Sequence, residues 1–184
     1  MSFRDAIDEV MDITRRVDKL ELTQNRINAT VRKFSGLGRF PRNLLEFTEP
    51  NNSNSGVVTI SIPDRFQAVS YIRPASCSDN LSSINPQTSY EGVFGYYVTG
   101  NNILVRHPHN EDDLYYGLYI HPSILVKDAD TNWILDTFFE IIVEMVSAKV
   151  QGILGNEAAA NKLLNYSREF LIAEVSNYLS PYGD

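Results

Sequence analysis

Three histidines and a short acidic run are the residues whose types and spacing could bind a metal. His107 and His109 are separated by a single proline, carboxylates follow at 111–113, and His121 comes shortly after. Imidazole and carboxylate groups are ligands for zinc and manganese. The spacing matches no common ligand pattern, and such residues are also frequent in turns between strands. We therefore predict no metal and no cofactor, and a metal-dependent hydrolase built on His107, His109 and Asp112 is only an alternative.

The sequence contains no recognisable nucleophile or phosphate-binding motif. Cys77 is the single cysteine and lies in a serine-rich stretch, so an intramolecular disulfide is impossible and a reducing compartment is indicated. No Gly-x-Ser-x-Gly motif occurs. The segment 36–38 reads Gly-Leu-Gly and lacks the third glycine and the Lys-Ser/Thr pair of phosphate-binding loops. The sequence predicts that the protein is not an enzyme.

Two further groups of side chains could act on a ligand. A polar strip at helical spacing could supply paired carboxylates for acid and base chemistry, although such a strip is usually a solvated helix face. The strip consists of Asp136, Glu140, Glu144, Ser147 and Gln151. Tyrosines in the predicted strands could stack on a sugar or a peptide, and sheet packing explains them equally well. These tyrosines are Tyr96, Tyr97, Tyr115, Tyr116 and Tyr119.

Composition limits the classes of partner. Of 184 residues, 43% are hydrophobic and 21% are charged, which is typical of a globular protein of one to one and a half domains. The net charge is −7 and no run of basic residues occurs, so tight binding to nucleic acid is not expected. The N-terminal residues lack an apolar signal region, which favours synthesis in the cytosol. Three carboxylates within 136–144 argue against a membrane span.

Helices are predicted at both ends of the chain. Ser2 and Asp5 resemble a capping box that opens the first helix, and a second helix covers about 20–34 and ends at Gly36. Residues 39–46 form a junction in which Leu44 and Leu45 plug the bundle. At the other end, a helix covers 130–151, and a hinge at Gly155-Asn156 separates it from a helix over 157–179.

The helix over 130–151 is apolar on most of its circumference. The surplus apolar surface predicts a contact with another subunit as well as a core. The residues of this candidate interface are Trp133, Phe138, Phe139 and Ile142. The last residues of the chain are polar and are either frayed or a docking tail, with Ser180, Pro181 and Tyr182 as candidates.

Between the helical ends, the hydrophobic period changes from 3.6 to 2. Strands are predicted at 58–62, 66–73, 96–99, 103–106 and 114–121, with a short piece at 81–84 and a hairpin turn at 100–102. The predicted fold class is α+β, a helical bundle of the N- and C-terminal helices with an inserted small antiparallel β domain. The parts are 1–48 (two helices and the junction), 49–127 (β insert) and 128–184 (two helices and the tail, packing with 1–48).

Several stretches in the first half of the chain resemble one family, the head-to-tail adaptors of short-tailed bacteriophages, also called tail tubular protein A. Residues 3–11 and 24–32 are similar to its two first helices, and 71–74 with 81–86 to its first β segments. Its junction resembles 40–46 at Phe40, Pro41, Arg42 and Glu46, whereas Asn43 stands where the family pattern has an acidic residue. The C-terminal helices match in kind and position only.

The resemblance implies a structural virion protein. It implies a homo-oligomeric ring of twelve copies between the portal protein and the tail nozzle protein, with DNA passing through without specific binding. It places the helical part on the portal and the β part towards the nozzle and the tail fibres. We therefore expect a location in the virion neck, in the host cytoplasm during assembly, and no membrane. A carbohydrate- or peptide-binding β module with a helical oligomerisation element is the alternative.

Overall fold

The protein is an α+β chain that divides into two compact units. The computed structural model describes residues 1–50, 56–87, 93–106, 113–165 and 167. The helical unit comprises Met1–Arg42 and His121–Asp184, and the β unit comprises Asn43–Ile120. The predicted boundaries at 48/49 and 127/128 therefore differ from the observed ones at 42/43 and 120/121, because a strand begins at Leu44 and the last strand ends at Ile120.

The helical unit is built from α1 (Phe3–Thr14), α2 (Leu20–Ser35), α3 (Trp133–Thr137) and α4 (Phe139–Ile153), with a 3₁₀ turn at Val17–Lys19 and a helical segment at 157–165. The predicted capping box is confirmed. The backbone N–H of Asp5 donates to Ser2 Oγ at 3.2 Å, and the Ser2 N–H donates to the Asp5 carboxylate at 2.8 Å. These bonds satisfy donors at the start of α1 that have no partner within the helix.

The single helix predicted for 130–151 is wrong, because the chain leaves the helical conformation at Phe138. This residue has φ −115° and ψ 28° between α3 and α4. Its ring enters the core, with centroids 5.4 Å from Phe34 and 6.4 Å from Trp133. Asn132 caps α3 by accepting a hydrogen bond from the Leu135 N–H at 3.0 Å. At the predicted hinge, Gly155 has φ 78°, a conformation that glycine adopts at no steric cost.

One hydrophobic core joins both ends of the chain in the helical unit. Helix α4 packs against both α1 and α2, which explains why it is apolar on most sides. The largest buried side chains of this core are Phe3, Ile7, Ile27, Phe34, Ile134, Leu135 and Ile142. The apolar surplus of the sequence is therefore used mainly within the chain.

The β unit contains two antiparallel three-stranded sheets, ordered β1-β6-β3 and β2-β5-β4. The strands are β1 (Leu44–Glu49), β2 (Val57–Ser61), β3 (Phe66–Pro74), β4 (Gly95–Thr99), β5 (Asn102–Arg106) and β6 (Leu114–Ile120). Strand β1 was not predicted. Leu44 and Leu45 do not plug the bundle, because they pair with Tyr119 and Leu118 of β6.

The two sheets of the β unit share one core. Their inward residues form a single cluster that includes Ile60 and Ile103 from one sheet and Ile72 and Leu118 from the other. The predicted short piece at 81–84 is not a full strand. It links the edges of the two sheets through Leu81 N–H to Ile72 O at 2.7 Å and Tyr96 N–H to Ser82 O at 3.0 Å.

Candidate functional site

The residues of the alternative metal site, His107, His109 and Asp112, lie outside the described residues. His121 is described, and its Nδ1 lies 2.7 Å from Ser35 Oγ in the helical unit. Burial, followed by the positive charge of Arg32, lowers the pKa of His121. In the parts of the chain that the structure describes, no three metal-ligating side chains come together.

The candidate subunit interface divides into two buried and two partly accessible residues. Phe138 and Ile142 are 2% and 0% exposed and belong to the core, so they offer no surface to a partner, which corrects the expectation for these two. Trp133 and Phe139 are half-buried against the same core. The prediction of an assembly contact therefore depends on Trp133 at the start of α3 and Phe139 at the start of α4.

The family-like junction is divided between the two units. Phe40 is buried, with its ring centroid 5.2 Å from that of Trp133, whereas Pro41 and Arg42 are exposed. Glu46 lies on β1 of the β unit. The candidate docking tail, Ser180, Pro181 and Tyr182, lies outside the described residues.

The acidic strip is solvated only in part. Asp136 binds the N-terminal ammonium at 2.9 Å and accepts a hydrogen bond from Thr131 Oγ1 at 2.8 Å. Glu144 is half-buried, and burial, followed by the nearby charge of Glu140, raises the pKa of its carboxyl. Ser147 is fully buried, so the predicted solvated face is wrong at this residue. The contacts of Asp136 connect the N-terminus of the chain to this strip.

A tyrosine crosses the outer face of the β1-β6-β3 sheet. Tyr71 on β3 donates from its hydroxyl to Glu46 Oε1 on β1 at 2.6 Å, although β6 lies between these two strands. The ring lies over Gly117 of β6, where an added Cβ would lie 2.6 Å from Tyr71 Cε1. Glycine at this position therefore makes the Tyr71–Glu46 bond possible. The hydrogen bond to the Glu46 carboxylate, followed by burial, raises the pKa of Tyr71.

Beside this bond lies a depression of about 330 Å³ with mixed chemistry. Its lining residues are Glu46, Phe47, Thr48, Tyr71, Arg73 and Tyr115. The Arg73 guanidinium carbon lies 5.6 Å from the centroid of the Tyr115 ring, which is 36% exposed. A carboxylate, a guanidinium and two phenol rings can bind a polar ligand that has flat faces. The sequence indicates Tyr115 but not Tyr71, Arg73 and Thr48, which also line this depression. The sequence does contain one signal for this site, namely Gly117 within a predicted strand, because a glycine there allows another side chain to approach the backbone closely.

Among the described residues of the helical unit, several large apolar side chains are exposed, and two sets of them are close together in the sequence. The turn patch lies around the turn between α1 and α2 and consists of Ile13, Val17 and Leu20, which are 39%, 79% and 41% exposed. The loop patch consists of Ile124 and Val126, which are 67% and 73% exposed and flank the buried Leu125. Isolated exposed apolar residues are ordinary, but such groups can mark interaction sites.

The loop patch is fixed in place by bonds to α2 and lies next to a segment that is bonded to the start of α1. Arg4 and Phe3, at the start of α1, donate backbone hydrogen bonds to Asp128 O at 3.0 Å and Asp130 O at 2.7 Å. The Asn28 side chain binds both the N–H and the carbonyl oxygen of Leu125, each at 2.9 Å. Asn28 is eight residues from Leu20 of the turn patch on the same helix, which corresponds to about 12 Å at ~1.5 Å per residue. The two patches are therefore separate surfaces.

No protein-family model matches this sequence, and no curated protein is significantly similar to it. Among the residues that the structure describes, none of the helices combines the length and apolarity needed to span a bilayer.

Proposed function

We propose that this protein is a bacteriophage structural protein, a head-to-tail adaptor that forms a ring between the portal and the tail nozzle. The observation that carries the proposal is the pair of separate apolar surfaces on the helical unit, the turn patch and the loop patch. A cyclic ring requires heterologous contacts, in which one surface of each copy meets a different surface of the next. The turn patch and the loop patch would serve as these two surfaces.

The charge balance supports a channel through which DNA passes without specific binding. The net charge is −7, with 16 basic against 23 acidic residues. Retention of DNA on a protein surface depends on phosphate contacts from Lys and Arg, which a predominantly acidic wall supplies poorly. A ring of such subunits, of which the family resemblance implies twelve, would let DNA move through.

The two units would have different partners within the virion neck. We assign the helical unit to the portal and to neighbouring copies, and the β unit to the tail nozzle and the tail fibres. The separate cores of the two units are compatible with this division, since each unit can hold its own surface rigid. Assembly would take place in the host cytoplasm.

The experiment that tests this proposal places a charge in each patch separately. Val17→Asp and Val126→Asp change exposed side chains, so the monomer should keep its fold. Burying a carboxylate in a subunit contact is strongly unfavourable, and we expect both variants to lose ring assembly on portal particles, measured by light scattering and electron microscopy. Val98→Asp is the matched control, because Val98 is 49% exposed but belongs to the β unit. Normal ring assembly by both helical variants would contradict the proposal.

A second function is favoured by the depression on the β1-β6-β3 sheet, namely a β module that binds a carbohydrate or a peptide. In that case oligosaccharides or extended peptides should bind the isolated protein, and Arg73→Ala or Tyr115→Ala should abolish the heat of binding in calorimetry. Tyr97→Ala is the control, because Tyr97 belongs to the other sheet. Its ring centroid lies 6.0 Å from the Arg106 guanidinium carbon, so it is also a tyrosine beside an arginine. Absence of binding at millimolar ligand would exclude this function.

A further inference from the structure

One face of α1 carries a ridge of carboxylates. The acidic ridge consists of Asp5, Asp8, Glu9 and Asp12, all exposed, on the side of the helix opposite its buried residues Ile7 and Val10. The spacing of three, four and seven residues places these carboxylates on one helix face. From the first to the last, the ridge is about 10.5 Å long at ~1.5 Å per residue.

The acidic ridge is only partly neutralised within the chain. Arg4 Nε binds the Asp8 carboxylate at 2.9 Å, and Asp5 serves the capping box at the start of α1. Across the described ranges, neither Glu9 nor Asp12 forms an ion pair. Two carboxylates of the ridge therefore remain available to a partner.

A cluster of positive charges lies on a different pair of helices. The basic face consists of Arg26 and Lys33, both exposed on α2, and the half-buried Lys149 of α4. Lys149 Nζ donates to Thr30 Oγ1 at 2.8 Å, and Thr30 lies one helical turn from both Arg26 and Lys33. This contact brings Lys149 close to Arg26 and Lys33. Burial, followed by the charges of Lys33 and Arg26, lowers the pKa of Lys149. No ion pair involves them in the described part of the chain.

The two surfaces are matched in length and opposite in sign. Arg26 and Lys33 are seven residues apart, as are Asp5 and Asp12, so each surface covers about 10.5 Å of helix. They lie on different sides of the helical unit: α1 directs its ridge away from α2 and α4, against which it packs, and the basic face lies where α2 meets α4. Neither surface can therefore neutralise the other within one chain.

We infer that the basic face of one copy binds the acidic ridge of the next copy, which orients neighbouring subunits in one direction around the ring. This inference rests on the proposed ring and adds a specific contact to it. Opposite charges across an interface select partners and fix their alignment. A phosphate backbone is the other anion that three cations could bind, but the chain itself presents an acidic surface of the same length.

The test uses two charge-reversed variants and their mixture. Arg26→Glu with Lys33→Glu makes both surfaces acidic, and Glu9→Lys with Asp12→Lys replaces the two carboxylates of the acidic ridge that form no ion pair in the described residues with cations, so that the charge this ridge offers to a partner becomes positive. All four side chains are exposed, so both variants should fold as the wild type does. We expect each variant alone to self-associate at least tenfold more weakly than the wild type. An equimolar mixture should associate again, because the surfaces then alternate in sign.

The readouts are solution mass by analytical ultracentrifugation and binding of a fluorescent 30-base-pair DNA duplex. The mixed complex should weaken at about 1 M salt, where the Debye length is about 3 Å. The inference is overturned if each variant alone assembles as the wild type does, or if the mixture keeps the mass of separate chains. It is also overturned if Arg26→Glu with Lys33→Glu abolishes DNA binding and leaves assembly unchanged.

The same experiment separates this inference from the proposed function. The mixture of variants is measured without a portal, so association of the two variants supports the contact even if no ring forms on portal particles. Conversely, portal-bound rings formed equally by both variants would support the adaptor function and contradict the charge contact.

Discussion

The helical unit closes its core between residues that are far apart in the sequence, whereas the β unit is one continuous stretch. In the helical unit, the Phe34 ring meets Phe138, Asn28 binds Leu125, and Lys149 binds Thr30. In the β unit, all six strands lie within Asn43–Ile120. The helical unit therefore depends on joining the two ends of the chain, and we expect that the β unit can be perturbed without affecting that closure.

The largest expected effect comes from opening the helical core. Phe34→Ala removes a ring that is 1% exposed, and such a change costs about 3–5 kcal/mol of unfolding free energy. The only tryptophan, Trp133, packs against this core, so urea unfolding followed by tryptophan fluorescence should shift to lower urea. Hydrogen exchange of the β unit should remain close to that of the wild type.

Ile72→Ala is the counterpart in the β unit, where Ile72 is fully buried. It should accelerate hydrogen exchange in the strands and leave the tryptophan transition nearly unchanged. If each substitution shifted the tryptophan unfolding transition and accelerated hydrogen exchange in the strands to the same extent, the two units would form a single cooperative structure.

A second prediction concerns the amide that holds the loop patch. Asn28→Leu leaves the N–H and carbonyl of Leu125 without their partner, and each unpaired buried polar group costs about 1–3 kcal/mol. We expect lower stability of the helical unit and faster hydrogen exchange at 121–132. Asn25→Leu is the matched control, since Asn25 is exposed on the same helix. Equal effects of the two substitutions would show that the Asn28 bonds contribute nothing specific.

A third prediction concerns the close approach at Gly117. In Gly117→Ala the new Cβ displaces the Tyr71 ring, so the β unit should lose about 1 kcal/mol, near the lower end for overpacking. The Tyr71–Glu46 bond should break, and the raised pKa of Tyr71 should fall towards its ordinary value in an absorbance titration. Adding Tyr71→Ala should relieve the clash, which a double-mutant cycle measures. An unchanged Tyr71 titration would contradict this geometry.

The smallest effect is expected at Glu144, where burial raises the pKa of the carboxyl. A raised folded-state pKa means that stability is highest when the group is protonated and falls as pH rises through that pKa. Glu144→Gln should therefore be more stable than the wild type at pH 7, and the difference should vanish below the unfolded-state value of about 4.5. Thermal unfolding across pH measures this, with the exposed Glu21→Gln as control. If Glu144→Gln were less stable than the wild type at pH 7, the Glu144 carboxylate would stabilise the fold, which contradicts a raised pKa.

The sequence predicts most of the regular elements because their hydrophobic periods are local. The capping box at Ser2, helix α2 ending at Ser35 and the strands around Ile60 and Ile103 all agree with the pattern. The break at Phe138 could not be predicted, because it depends on a ring entering a core formed with Phe34, more than a hundred residues earlier. Strand β1 was missed for a similar reason, since its partner β6 lies far along the chain.

The candidate sites were predicted less completely than the fold. Phe138 and Ile142 were assigned to an interface because helical periodicity cannot distinguish a core from a subunit contact. The depression beside Tyr71 requires knowledge of which strands are neighbours, and strand order is a long-range property. The complementary charges of Glu9 and Arg26 acquire meaning only once the packing of α1, α2 and α4 is known.

The most direct test of the adaptor proposal is the mass of the purified protein in solution, alone and then mixed with candidate portal particles. We expect a closed ring of identical copies on the portal, all oriented in the same direction. A stable dimer that does not bind portal particles would contradict the account and favour the ligand-binding β module.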